Sequence, residues 1–446
     1  MGPVVDPVSS DETLPQRVSV VIVGGGIIGA SAALFLAKRG VSVALCEKGQ
    51  IAGEQSIRNW GWVRKMGRDP REIPLIIESL RLWEGMNETV EAETGFRRTG
   101  ILYACETDEE VERRAGWLEY ARPYQLDTRL LRGAELADLL PGAVRLPKAG
   151  LYTRSDGRAE PQKAAPPIAR AARRAGAAIL TSCAVRGIET QGGQVAAAIT
   201  EKGCIACESV VLAGGAWSRL FCGSLGLRLP QLKVRSSVLR TEPLEGAPET
   251  ATLMGDFAFR KRLDGGYSIA NGLNTLYDLV PDSFRLMADF LPAFRLEYRS
   301  LHFRLGSRFL EEWRTPTHWK LDQPSPFERV RVLDPEPESS FNETARASLG
   351  KVFPAFTNAR VAQQWAGLID VTPDAVPVIS AVDSIPGFFI ATGFSGHGFG
   401  IGPGAGRLMA DLVTGSDPIV DPTPFRGRCG PEGTNPALCR PRPSYS

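Results

Sequence analysis

The sequence predicts an α/β protein in two parts: a domain built on a Rossmann-like parallel sheet, and a second α+β lobe built on an antiparallel sheet. Three observations predict it. Val18 to Lys48 reads as strand, glycine turn, helix and strand. Ser209 to Ser218 repeats strand-then-glycine far downstream, and from Leu232 to about Phe341 strand-like runs replace the α/β alternation.

Val18 to Val23 is a short β-branched run bounded by glycine, as expected of a strand buried on both faces. Gly24-x-Gly26-x-x-Gly29 follows. Ile28 to Lys38 then places apolar residues at helical spacing, Gly40 stops the helix, and Val41 to Leu45 forms a second strand running into Glu47 and Lys48. In such a unit Gly24 permits the tight turn, Gly26 lets a pyrophosphate reach the backbone, and Gly29 lets the helix lie close on the strand. The open N–H groups at Ile27 and Ile28 take the phosphate charge. Glu47 follows at roughly the 20-residue distance of an acid that accepts hydrogen bonds from ribose hydroxyls.

A net charge of +2 gives no field suited to nucleic acid. The basic cluster Arg58, Arg64, Lys65, Arg68 and Arg71 is followed by Glu72 and Glu78, so it reads as a local anion site or a solvated face. Eight cysteines without framework spacing read as reduced thiols of a cytoplasmic protein. Cys204-x-x-Cys207 has no second pair, and with histidine only at His302, His318 and His397 no metal site is expected. Arg17, the first apolar run and Ala30-x-Ala32 imitate a secretory signal, but cleavage there would discard the glycine turn. The segment is read as fold, and no stretch is apolar enough to span a bilayer.

Gln50 to Arg71, rich in small polar residues and carrying Trp60 and Trp62, reads as a loop over a ligand. Helices are expected at Ile73 to Glu91, Asp108 to Ala121, Arg129 to Leu140 and Lys163 to Ala175. Strands are expected at Gly100 to Ala104, Ala178 to Ser182 and Val185 to Glu189, and a hairpin joins Val195 to Thr200 with Cys204 to Glu208. Ser209 to Ala213, followed by Gly214 and Trp217, rejoins the parallel sheet. The second lobe holds strands at Val234 to Arg240, Phe257 to Leu263 and Tyr267 to Ala270, with a helical stretch from Asp282 to Phe309 interrupted by Pro292. The chain then returns through a strand at Val361 to Trp365, a loop at Ala366 to Pro377 and a strand at Gly387 to Ala391. A glycine loop from Gly393 to Gly406 precedes a helix at Arg407 to Thr414, with Pro403 in its first turn. The first domain is thus expected at 17–90, 150–228 and 345–420, the lobe at 91–149 and 229–344, and flexible tails at 1–16 and 421–446. The glycine loop reads either as backbone passing beneath a flat ligand, with a helix start aimed at it, or as a plain turn.

GGGIIG with Glu47, Gly-Ala-Trp-Ser after the strand ending at Ala213, TPDAVPVI at Thr372 to Ile379 and GFSGHGFGIGPGAG together resemble the FAD-dependent D-amino-acid oxidase superfamily. Within it the chain is similar to the glycine oxidase, sarcosine oxidase and D-amino-acid dehydrogenase branch, over roughly residues 17 to 420. The resemblance implies FAD, with its adenosine end at Gly24 to Gly29, Glu47 and Lys48, its adenine near Val185, and further contacts at Gly214 and Trp217. The flavin ring would lie between Gln55, Ser56, Arg58 and Asn59 on one side and Gly396, His397, Gly398, Phe399, Gly400 and Ile401 on the other. Gly367 occupies the position of the cysteine that carries FAD in covalent members, and no histidine precedes His302, so non-covalent FAD is expected. Relatives that clamp a carboxylate with arginine do so where this chain has Ile369. Arg64 and Arg260 are the substitutes considered, His397 supports the flavin loop, and Trp60, Trp62, Phe259 and Tyr267 are candidate walls. The activity implied is oxidation of an amine or amino-acid C–N bond by hydride transfer to flavin, with oxygen or a quinone as acceptor. A hydroxy-acid dehydrogenase and a non-catalytic flavoprotein subunit are the alternatives, and association into a homo-oligomer stays open.

Overall fold

The computed structural model describes residues 2–298 and 300–427. The nucleotide-type domain is a six-stranded sheet of β1 (Val20–Val23), β2 (Val43–Cys46), β3 (Ala178–Leu180), β4 (Ser209–Leu212), β5 (Val378–Ala381) and β6 (Phe388–Thr392), in the order β5-β6-β4-β1-β2-β3. All neighbours run parallel except the edge pair β5–β6. Helices α1 (Ile27–Ala37), α2 (Ile73–Glu84), α3 (Pro161–Arg174) and α4 (Gly398–Thr414) complete it. Every residue of α1 is buried, because the sheet, α3 and α4 enclose it. Its apolar residues therefore run all round rather than along one stripe.

The lobe is a ten-stranded mixed sheet whose longest pairing, between Leu232–Thr241 and Val361–Val371, is antiparallel from Leu232↔Val371 to Thr241↔Val361. This corrects two expectations. The strand expected to end at Trp365 continues through Gly367 and Asp370 to Val371, and it belongs to the lobe sheet rather than to the first domain. The helix Ser339–Val352 also packs on the lobe sheet, across the expected boundary at 345. Arg129 to Leu140 is not one helix but a strand, Thr128–Leu131, and a short helix, Ala134–Leu139. Pairing of Thr128 with Thr153 on the sheet overrides the local helical pattern. Asp282 to Phe309 divides into helices Pro281–Arg285 and Met287–Glu297, a strand Leu301–Arg304 and the start of a helix Ser307–Arg314.

The leader expected to be flexible is packed. Val5 is buried in the core around α1, Arg173 donates to the Ser9 Oγ at 3.1 Å, and the Asp11 carboxylate accepts the Ile179 N–H at 2.6 Å. The expected tail falls largely outside the described residues, beyond 427. Among the described residues no helix is long and apolar enough to cross a membrane.

The last helix departs most from expectation. It begins at Gly398, so Pro403 lies inside it rather than in its first turn. Beside the break, Ser79 and Trp83 of α2 donate to the Gly400 carbonyl, at 2.8 and 2.9 Å, and the Ser79 Oγ accepts the Gly404 N–H at 3.1 Å.

Candidate functional site

A single cavity of about 730 Å³ runs from Gly24, Gly26, Glu47 and Val185 to Gly396, His397 and Gly398, and continues to a mouth between Arg113 and Leu273. The sheet topology creates it, since β1 and β6 deliver the N-termini of α1 and α4 to the same side. Both helix starts carry N–H groups outside the helical ladder, which favour negative charge there; that of Ile27, expected to be open, is taken by Ser56.

At the nucleotide end Gly24 has φ +107°, and a Cβ there would stand 2.5 Å from the Ala213 carbonyl oxygen. A Cβ at Gly29 would stand 2.0 Å from the Gly24 carbonyl oxygen, so this glycine seats α1 and does not reach the cavity. The Glu47 carboxylate accepts the N–H groups of Gly25 and Gly49, each at 2.7 Å, and faces the cavity. Burial pushes its pKa up, with Lys48 and the two donors opposing. Lys48 lines the cavity beside it, where it pairs with Glu54 at 2.7 Å, donates to the carbonyls of Val330 and Arg331, and lies over the Trp217 ring at 4.5 Å. Trp217 in turn donates to Glu54. Ser56 accepts the Ile27 N–H at 2.9 Å, and Gln55 bridges the Ala216 N–H and the buried Asp370 carboxylate. Asp370 also accepts from Gln231 and the Gly393 N–H, which ties the early loop to β6.

At the other end the loop after Gln55 forms one wall. Asn59 bonds within the loop, to Ser56 and Gly61. Arg58 donates to Asp334 and the Ala366 carbonyl, at 2.7 and 2.8 Å. Trp60, Trp62, Arg64 and Arg68 line the cavity. Gly396, His397, Gly398 and Phe399 line it opposite, but Gly400 and Ile401 do not: Gly400 packs on Trp62 and Val63, and Ile401 is core. Arg260 is a second correction. It is 1% exposed, pairs bidentately with Glu160 at 2.8 and 3.1 Å, donates to the Trp60 carbonyl and lies off the cavity wall. Phe259 and Tyr267 pack instead against Phe356 in the lobe core, one tilted and the other edge-on.

Two wall residues went unassigned, one in the basic cluster and one in a later helix. Arg68 is buried beside the start of α4, where its Nε donates to the Arg64 carbonyl and its Nη1 has no partner among the described residues. Burial, then Arg64, lowers its pKa to about 10. Arg114 lies in Asp108–Gly116, a helix whose composition reads as solvated; only Val111 and Arg114, one turn apart, are buried. Trp62 Nε1 is likewise buried and unpartnered on the wall. These donors, the two helix starts and the glycine approach at Gly26 fit FAD lying along the cavity with its charged and carbonyl groups toward them.

His397 lies at the start of α4 with Nδ1 3.2 Å from Glu72. Burial, then Arg68, lowers its pKa to about 4, so it is neutral at pH 7 and donates to the carboxylate from Nδ1. Its folded pKa lies below its ordinary 6.5, so its contribution leaves stability intact above pH 6.5 and erodes it as pH falls toward 4. The slope is about 1.4 kcal/mol per pH unit. Melting temperature should fall less steeply over that window in His397→Gln than in the parent chain.

A family model described as FAD dependent oxidoreductase (DAO) matches residues 19–412. The L-amino acid deaminase of Proteus myxofaciens, solved in complex with anthranilate, is 36% identical; the match covers 95% of this chain and 96% of that one, with a TM-score of 0.91. The L-amino acid deaminase of Proteus vulgaris is 33% identical over 94% and 99% of the two chains, with a TM-score of 0.90. Glycine oxidase of Pseudomonas aeruginosa is 25% identical over 91% of this chain and 97% of its own.

Proposed function

The chain belongs to the DAO family of FAD dependent oxidoreductases, and from that premise we propose that it oxidises the Cα–N bond of an L-amino acid. Hydrolysis of the resulting imine yields a 2-oxo acid and ammonia. The observation that carries this reading is one cavity bounded by the N-terminus of α1 at Gly26 and that of α4 at Gly398. The likeness to two L-amino acid deaminases supports the amino-acid substrate and its L configuration.

Bound FAD supplies the acceptor for the hydride that leaves Cα. The chain supplies charge, orientation and dryness. Arg64, on the cavity wall and 8% exposed, takes the place of the arginine absent at Ile369 and holds the substrate carboxylate. Arg68 and the start of α4 stabilise negative charge that develops at the neighbouring end of the cavity. Trp60 and Trp62 exclude water from the reacting carbon. FAD is held without a covalent bond, because Gly367 lies against Arg58 where a linking cysteine would stand. Electrons pass to oxygen or a quinone, and the free thiols fit the cytoplasm.

Anaerobic mixing of the purified yellow protein with L-amino acids, their D enantiomers, N-alkyl glycines and 2-hydroxy acids tests this. Bleaching of the flavin band by L-amino acids, with 2-oxo acid formed one-to-one, is expected. Reduction by hydroxy acids alone, or by nothing in the panel, overturns the reading.

A further inference from the structure

Asp370 lies on the cavity wall, 3% exposed, in the strand Val361–Val371. Its carboxylate is an acceptor throughout. One oxygen accepts from the Gln55 amide at 2.7 Å; the other accepts from the Gln231 amide at 2.9 Å and the Gly393 N–H at 2.7 Å, with the Thr392 hydroxyl 3.3 Å away. Neither amide is free to turn over, because the Gln55 Oε1 accepts the Ala216 N–H at 3.0 Å and the Gln231 Oε1 accepts the Arg219 N–H at 3.1 Å. A proton on either Asp370 oxygen would therefore face an N–H. Burial pushes the pKa up, while the donors from Gln55 and Gly393 oppose it and favour the anion.

These bonds join the two ends of the cavity. On one side Gln55 precedes Ser56, which takes the Ile27 N–H at the start of α1. On the other, Gly393 opens the turn into α4, and the Asp370 carbonyl takes the Ser395 N–H at 2.9 Å shortly before that helix begins at Gly398. We propose that Asp370 is a positioning residue for FAD: it holds the starts of α1 and α4 at the separation that lets one molecule engage both. This goes beyond the substrate reading and does not depend on it. A ligand gripped at two ends gains from its second contact only while the span matches. Loss of the link therefore weakens FAD binding, whereas a ligand confined to the α1 end is spared.

Two substitutions break the link and together remake it. Asp370→Asn keeps the size but sets an NH2 group against another donor, the Gln55 amide in its milder orientation; turning Gln55 over moves the conflict to the Ala216 N–H. Gln55→Glu alone sets two carboxylates face to face. In the double variant Gln55→Glu/Asp370→Asn the new carboxylate accepts both the Ala216 N–H and the new amide, so every donor again meets an acceptor and the charge has only crossed the bond.

The test uses the full chain and needs no turnover. FAD affinity is read from flavin fluorescence on dilution of the holoenzyme, and ADP affinity by calorimetric titration of the chain stripped of flavin. Each single variant is expected to bind FAD at least about tenfold more weakly, with ADP affinity within about threefold of the parent, and the double variant to recover FAD affinity to within about threefold. Gln55→Glu and the double variant carry the same comparison if Asp370→Asn fails to fold. Unchanged FAD affinity in the single variants, ADP affinity lost in step with it, or no recovery in the double variant overturns this inference and leaves amino-acid oxidation standing. Absence of bleaching by every amino acid overturns that reading and leaves this one.

Discussion

Gly406→Val is expected to melt well below the parent chain and to hold less FAD. A Cβ at Gly406 would stand 2.4 Å from the Ser31 Cβ and 2.6 Å from the Ala32 backbone nitrogen, both on α1. One turn earlier a Cβ at Gly402 would meet Ile27, at 3.0 Å, and one at Gly404 would meet Ser79 on α2, at 2.9 Å. Three glycines in register thus let α4 sink against two helices at once. Because the obstacle at Gly406 includes the backbone of a helix buried all round, relief requires α1 and α4 to separate, at the upper end of the roughly 1–3 kcal/mol usual for overpacking, or beyond it. Total stability of a domain is only about 5–15 kcal/mol, and these two helices carry both anchoring N-termini of the cofactor cavity. FAD content per chain and a thermal melt read the outcome. Gly223→Ala, where an added Cβ meets nothing within 4 Å, is the control and should stay yellow. A yellow Gly406→Val protein with an unchanged melt would show that the helix crossing tolerates displacement.

That crossing marks where sequence reasoning succeeds and where it stops. The opening βαβ unit was legible because its signal is local: glycine spacing, β-branched strand and following helix all lie within about thirty residues, as such units require. The late glycine arc was legible only as an arc. Gly396 and Gly398 reach the cavity, whereas Gly402, Gly404 and Gly406 serve helix packing, and absence of a side chain has the same signature in both uses. The strand through Gly367 and Asp370 read as loop because glycine and aspartate are poor strand formers; ten residue pairs with Leu232–Thr241 override that preference. Arg260 and Arg114 show the same limit for function. Arg260 is matched by Glu160, one hundred positions away, and so becomes structural; Arg114, in an unremarkable charged helix, is carried to the cavity by the burial of one helix face.

Arg68→Met is expected to lower kcat/KM by about a hundredfold or more, the range for removing one preorganised donor, while the chain melts no lower than the parent. The two effects have opposite causes. Arg68 is 2% exposed, with an unpartnered Nη1, so the folded chain satisfies its guanidinium only in part. Methionine has similar reach, fills the space and removes that charge, which is neutral or stabilising when a buried ion is replaced by an apolar side chain. Its pKa, lowered to about 10, still leaves Arg68 protonated at pH 7, so the positive charge is present when negative charge develops beside the start of α4. Its loss should make two-electron reduction of the bound cofactor harder, by about 30–60 mV in midpoint potential, where 30 mV corresponds to about 1.4 kcal/mol. Arg68→Lys keeps the charge without the forked donors and should recover part of the potential but less of the rate. A lower melting temperature with an unchanged potential would assign Arg68 to the scaffold, whereas an unchanged melt with a depressed potential requires that its charge act on the reacting end of the cavity.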